Sequence, residues 1–181
     1  MTPFIETFSG KTFKPLAPIW ADIRIDDIAH GLSNQGRFSG HTRHFYSVAE
    51  HSVRVSERLA ECLYPRPVQL WGLLHDASEA YLVDLPKPLK LDVTIGAAYQ
   101  RAEKALMVAV CKRFSLPTQE PAAVRIADAE LLATEVRDLM HGDRPYWKKI
   151  RAKPLLGRIR PWSASVAEYE FLRQYKELGG T

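Results

Sequence analysis

Apolar and polar positions change rhythm early in the chain and then keep one rhythm to the end. In "IETFSGKTF" Ser9-Gly10 stand between two short β-prone pieces, the pattern of a small hairpin, and Pro15 and Pro18 then break the chain. Beyond that point apolar residues recur at helical spacings. "DDIAHGLS", residues 26 to 33, predicts a short amphipathic helix ended by an Asn34-Gln35-Gly36 turn. Ser47 is placed to cap a helix running to about Cys62, with Val48, Val53, Val55 and Leu59 inward and Glu57, Arg58 and Glu61 outward. Pro65 and Pro67 close that helix and open the next. This next helix carries "WGLLHDASEA", residues 71 to 80, and ends before "DLPKPLKLD", a loop held by Pro86 and Pro88. A long helix follows from about Gly96 to Phe114, with Ala98, Ala102, Ala105, Leu106 and Ala109 at helical spacings. Pro121 starts another, through Ile126, Leu131 and Leu132 to Met140, and a last helix runs from about Ser163 to Leu178. About six helices with short connections predict one compact all-α domain over residues 1–181, with a hairpin segment in residues 1–20.

Composition narrows this picture without redirecting it. A chain of 181 residues, 46% hydrophobic and 25% charged, is long enough to bury a real core. No apolar run approaches the ~20 residues of a membrane span. "MTPFIETFSGKTF" has neither the basic start nor the apolar stretch of a signal peptide, so a cytoplasmic protein is expected. Cys62 and Cys111 lie in apolar, helix-like segments and read as reduced core residues. The net charge is +4, and the clearest basic segment is "RPYWKKIRAKPLLGRIR", residues 144 to 160. It is either a solvated basic face or a surface for an anionic partner. No nucleic-acid-binding motif accompanies it, so a nucleic-acid partner is not expected.

The chemistry gathers elsewhere. The apolar run Leu70 to Leu74 ends directly in His75-Asp76, and Glu79 follows three residues later. His51 sits in the first turns of the preceding helix, and Asp128 interrupts an apolar face formed by Ile126, Leu131 and Leu132. Each has an ordinary reading when taken alone: a hydrogen-bonded core histidine, or a surface acid paired with a neighbour such as Arg125. Together, three helices bring ionisable groups to an otherwise apolar interior, where a carboxylate is costly unless paired or coordinated. Two histidines and two aspartates suit one borderline or hard divalent ion, Mn²⁺, Co²⁺, Fe²⁺, Ni²⁺, Zn²⁺ or Mg²⁺, with no thiolate to favour a softer one.

The order His51, His75-Asp76, Asp128 resembles the H…HD…D signature of the HD-domain phosphohydrolase superfamily. "SVAEHS", "LLHDASEA" and "VDLPKPLK" are similar to segments that the bacterial 5′-deoxynucleotidases of that superfamily, and small phage-type HD nucleotide hydrolases, place around their metal. The resemblance covers about residues 26–135 and leaves the N-terminal segment and the basic C-terminal part, residues 141–181, outside it. It implies an HD-domain helical bundle in which His51, His75, Asp76 and Asp128 hold the metal. It further implies that Glu79 orients or deprotonates the attacking water, and that Asp84 meets the sugar or assists the leaving group. Arg37, in "GRF", matches the family's phosphate-binding arginine. Phe38 stands where the deoxynucleotidases carry a tryptophan, which puts ribose against deoxyribose discrimination in doubt. Lys87 and Lys90 lie in the Pro-braced loop as further phosphate-binding candidates. His41 and His44 either reach substrate phosphate or the groups around the metal, or pack as ordinary polar residues. Trp20 and Ile23 either line a base pocket or, the favoured reading, pack in the core, and His30 and His141 read as structural.

The expected function is metal-dependent hydrolysis of a small-molecule nucleotide, most simply release of phosphate from (deoxy)nucleoside monophosphates. Two alternatives stand beside it. The same site can serve a deoxynucleoside triphosphate triphosphohydrolase, and the fold can serve as an inactive metal-binding regulatory domain. The resemblance also implies a homo-oligomer.

Overall fold

A computed structural model describes residues 3–180, so residues 1, 2 and 181, the extreme ends of the expected 1–181 domain, lie outside the described residues. The chain is mostly helical, with one short antiparallel hairpin, as the periodicity predicts. Strands β1 (Ile5–Glu6) and β2 (Thr12–Phe13) pair Ile5 with Phe13 and Glu6 with Thr12. Gly10 takes φ +74° at the turn, a conformation that a residue without Cβ adopts freely. Among the described residues six helices have nine residues or more. They are α1 (Ile25–Ser33), α2 (Val48–Glu61), α3 (Arg66–Leu74), α6 (Ile95–Arg113), α7 (Ala122–Leu139) and α8 (Ala164–Glu177). Two single-turn helices, α4 (Glu79–Leu82) and α5 (Lys87–Lys90), lie between α3 and α6. No helix among the described residues is long and apolar enough to cross a membrane.

Helix α2 is the centre of the bundle and packs against α1, α3, α7 and α8. Its sequence explains why. Val48, Ala49, Val53, Val55 and Leu59 are fully buried, so the apolar stripe is broad enough to be covered on several sides. Ser47 caps it by accepting the backbone N–H of Glu50 at 3.1 Å. The Glu50 side chain does not return to close a capping box. It turns instead to Arg54 and to the backbone N–H of Trp162 at 2.8 Å.

That last bond belongs to a strap. Between α7 and α8 the basic C-terminal stretch makes a 3-10 turn over Pro145–Lys149 and then runs without regular structure over α7 and back to α2. Leu155 N–H donates to Thr134 Oγ1, Ile159 N–H donates to Asp138 Oδ2, and Arg137 donates to the Leu155 and Gly157 carbonyls. Arg137 and Arg158 both pair with Asp138, and Arg54 lies over the Trp162 ring. Part of the basic segment is therefore spent on holding α7 and α2 together.

Several local expectations change. The helix carrying "WGLLHDASEA" stops at Leu74; His75 to Ser78 form turns, and Glu79 starts α4. The "DLPKPLKLD" segment contains the helical turn α5 and is not all loop. Ile126 is 59% exposed, and the inward face of α7 is made by Val124, Ala127 and Leu131, one position round the helix from the predicted stripe. In α6 only the C-terminal half enters the core, through Leu106, Ala109, Val110 and Cys111; Ala98 and Ala105 are exposed. Cys111 is a buried free thiol as expected, but Cys62 is exposed because α2 ends at that point. Ile23 is fully buried, whereas Trp20 is 42% exposed and lies against Lys112.

Ser47→Ala removes the cap of the central helix and is expected to lower stability by about 1 kcal/mol. Urea unfolding checks this as a lower midpoint at unchanged slope.

Candidate metal centre

Three elements converge at one point of the bundle. Helix α2 brings His51, the turns after α3 bring His75 and Asp76, and α7 brings Asp128. His51, His75 and Asp76 each offer a ligand atom, and these atoms all lie within 4.8 Å of one another, a group able to hold a metal ion. His51 Nε2 is 3.3 Å from His75 Nε2 and 3.9 Å from Asp76 Oδ2, and His75 Nε2 is 3.2 Å from Asp76 Oδ2. Asp128 Oδ1 lies 3.3 Å from His51 Nε2. Arg125, the neighbour that offered Asp128 an ordinary salt bridge, pairs with Glu120 instead.

The far side of each imidazole fixes what the near side presents. His51 Nδ1 lies 2.6 Å from Glu135 Oε1, and His75 Nδ1 lies 2.7 Å from the Gly72 carbonyl. Both partners are acceptors, so each Nδ1 carries a proton and donates it, a tautomer assigned from the hydrogen bonding. The Nε2 lone pairs of both rings then face each other, beside two carboxylates. Three acceptors, from His51, His75 and Asp76, meet with no donor of their own between them, and Asp128, outside that group of three, adds a fourth against His51. Such a group needs a proton or a cation at its centre.

Without a metal the proton goes to a histidine. Burial disfavours the His75 imidazolium, but Asp76 and Asp128 outweigh it and push His75 up to about 9. Burial and the Arg37 charge act against protonated His51, yet Glu135 and Asp128 outweigh them and raise it. Burial also works against the Asp76 carboxylate, but His75, His51 and Arg37 hold it well below the usual range. Asp128, opposed by burial and favoured by its bond to His51, falls to about 2.

Arg37 reaches this centre from the side. Its backbone N–H donates to the Tyr46 carbonyl at 2.9 Å, which sets it beside the start of α2. Its guanidinium donates to Asp76 Oδ2 at 3.4 Å and to Glu135 Oε2 at 3.3 Å. Glu135 is completely buried, and although burial penalises its charge, Arg37 and His51 keep it ionised. The chain Arg37–Glu135–His51 is the kind of outer support that orients a metal-binding imidazole. Glu135 was not singled out in the sequence, though it follows Asp128 by seven residues, two helical turns along the same face of α7.

The other predicted residues are placed unequally. Glu79 is 3% exposed, with Oε1 accepting from Lys90 Nζ at 3.0 Å and Oε2 buried without a partner. Burial, then Asp76 and Asp84, push it up to about 9. Asp84 is half-buried, and its backbone N–H donates to Gln35 Oε1. Gln35 also donates to the Glu79 and Gly31 carbonyls, so it brackets both ends of the Glu79 to Asp84 segment, a role invisible in the sequence. Phe38 is half-buried at φ +54°, edge-on to Trp147 at 6.1 Å between centroids. Lys87 is exposed. His41 and His44 are also exposed, and among the described residues neither side chain joins the bonds of this centre.

No family model matches the chain. It is 37% identical over 177 residues to the uncharacterized protein YfdR of Escherichia coli K12, covering 97% of this chain and 95% of that protein. It is 41% identical over 169 residues to the uncharacterized protein RCAP_rcc00048 of Rhodobacter capsulatus, covering 84% of this chain and 85% of that protein.

Two outcomes follow from the geometry. Metal binding displaces the His75 proton, so affinity for Mn²⁺ or Co²⁺ should rise by up to about tenfold per pH unit below the His75 value and level off above it. Calorimetry in buffers of different ionisation enthalpy reads the released proton. Glu135→Ala removes the support of His51 and should weaken metal affinity by about 10–100-fold, measured in the same titration.

Proposed function

The chain belongs to the family of Escherichia coli YfdR, and from its His/Asp centre we propose that it is a metal-dependent phosphohydrolase of the HD-domain type acting on nucleotides, most simply a 5′-nucleotidase on (deoxy)nucleoside monophosphates. The observation that carries the reading is the group formed by His51, His75 and Asp76, whose ligand atoms lie within 4.8 Å of one another, with Asp128 beside His51. The donor set suits the ion. Two imidazole nitrogens and two carboxylates favour a borderline or hard divalent metal. When bound, that ion supplies Lewis acidity toward a phosphoryl oxygen and makes its bound water acidic enough to react near neutral pH.

The surrounding residues supply the rest of the chemistry. Glu79 lies one turn beyond Asp76 and keeps one carboxylate oxygen, Oε2, without a partner. It is the group that takes or directs the proton of the attacking water. Its carboxyl is pushed up to about 9 without a metal, so it must first lose its proton, and a divalent ion held beside it by Asp76 favours that loss. Arg37 spends two of its N–H donors on Asp76 and Glu135, and its buried Nε has no partner. In this reading it neutralises the carboxylates around the metal and offers its remaining donors to the phosphate. Phe38 and Trp147 form the aromatic surface next to Arg37 and are assigned to the nucleoside.

The test is a panel of nucleoside mono-, di- and triphosphates assayed with Mn²⁺, Co²⁺, Fe²⁺, Ni²⁺, Zn²⁺ and Mg²⁺, with products identified. Inorganic phosphate from monophosphates, removed by EDTA, is the expected result. Triphosphate released from deoxynucleoside triphosphates would instead assign the centre to the longer substrate, and no turnover in any metal would leave a binding domain. Asp76→Ala should lose both metal and turnover. Glu79→Gln should keep the metal and lose about 10²–10⁴-fold in kcat.

A further inference from the structure

Lys90 reads from the sequence as a phosphate-binding residue, but its ammonium is already committed. Nζ donates to Glu79 Oε1 at 3.0 Å and to Glu103 Oε1 at 2.9 Å, and it lies 5.2 Å from the centroid of the Tyr99 ring. Its backbone is held too. The Lys90 carbonyl accepts from Gln100 Nε2 at 2.5 Å, and a Cβ at Gly96 would come within 2.2 Å of the same carbonyl oxygen. Tyr99 Oη donates to the Val83 carbonyl at 2.5 Å, at the other end of the segment. Val83 takes φ +68°, a strained conformation for a β-branched residue, so that bond holds a turn the local sequence does not favour.

Gly96, Tyr99, Gln100 and Glu103 recur at helical spacing on one face of α6. This is the half of α6 that contributes little to the core. Its residues instead grip both ends of the segment from Val83 to Lys90.

We infer that the N-terminal half of α6 is a cradle for Lys90, and that Lys90 is a positioning residue for the Glu79 carboxyl and not a ligand for substrate phosphate. The inference rests on the reading of Glu79 proposed above. Lys90 fixes Oε1, and the buried Oε2 is then the oxygen left to accept a proton from water. The charged and titratable groups acting on Glu79 are Asp76 from the turn before it, Asp84 from the segment after α4, Lys90 from α5, and Tyr99 from α6. Glu103 acts through Lys90. Lys90 is the cation of this set, and its 3.0 Å bond to Oε1, held in place by the α6 cradle, fixes how the carboxyl is turned.

Four proteins test this: wild type, Lys90→Met, Lys90→Arg and Gly96→Ala. Crystal structures of the metal-free proteins compare the Glu79 carboxyl: Lys90→Met should release it from the orientation in which Oε1 meets Nζ at 3.0 Å, and Lys90→Arg should largely restore it. In the metal-loaded proteins, Lys90→Met should lower kcat about tenfold or more while KM for a nucleoside monophosphate and metal affinity stay near wild type. Gly96→Ala, which displaces the Lys90 backbone without touching Glu79, should change kcat in the same direction. A Glu79 carboxyl that keeps its orientation in Lys90→Met overturns the inference, as does a raised KM at unchanged kcat, which would make Lys90 a phosphate ligand. If the wild type hydrolyses no nucleotide, the functional reading fails, and the structures still decide whether Lys90 positions Glu79.

Discussion

Two imidazole nitrogens facing each other at 3.3 Å set the terms for the rest of this protein. Each ring has its other nitrogen engaged as a donor, His51 to Glu135 and His75 to Gly72, so neither can rotate its lone pair away without losing a buried bond. Two aspartates add acceptors at the same point. The arrangement is unfavourable unless a positive charge sits within it, as a proton or a metal ion. Most of the polar structure nearby is explained by that requirement. Arg37 bridges Asp76 and Glu135, and Glu135 holds His51 by a 2.6 Å bond.

Such a cluster persists only if its helices keep their spacing, since a small displacement would separate the side chains. The fold answers with ties far from the centre. Glu50, next to His51, is bonded to Arg54 and to the backbone of Trp162, and Asp138, ten residues beyond Asp128, anchors Ile159, Arg137 and Arg158. The strap between α7 and α8 therefore fastens the helix that carries His51 to the helix that carries Asp128. Its basic composition reflects this in part: Arg158 of the strap joins Arg137 of α7 in compensating the nearly buried Asp138.

The helices and the four convergent side chains were legible because helical periodicity and buried charge are local signals that survive in one dimension. The hairpin was legible for the same reason, with Ser9-Gly10 at its turn. What was not legible depends on contacts between distant segments. The turns at His75 to Ser78 interrupt a run whose spacing looks helical, and Gln35 braces that region from 44 residues away. Ile126 has the hydrophobicity of a core residue but lies outside, because Ala127 and Leu131 occupy the inward stripe. Cys62 looked buried by its neighbours, yet it lies where α2 ends. Lys90 reads as a surface cation in "DLPKPLK", and only the approach of α6 shows that two carboxylates already hold it.

Asp76 and Glu79 show how position, not residue type, divides the work. They stand three residues apart in one short stretch, and burial disfavours the charge of both. Asp76 faces His75, His51 and Arg37, and these cations hold it ionised, as a ligand must be. Glu79 faces Asp76 and Asp84, with Lys90 alone to oppose them, and it is pushed up to about 9. Two carboxyl groups driven apart in this way are suited to different roles, one to hold a cation and one to exchange a proton. Across the turns at His75 to Ser78 the Glu79 N–H still donates to the Asp76 carbonyl, while the side chains part, Asp76 to the histidines and Glu79 to Lys90.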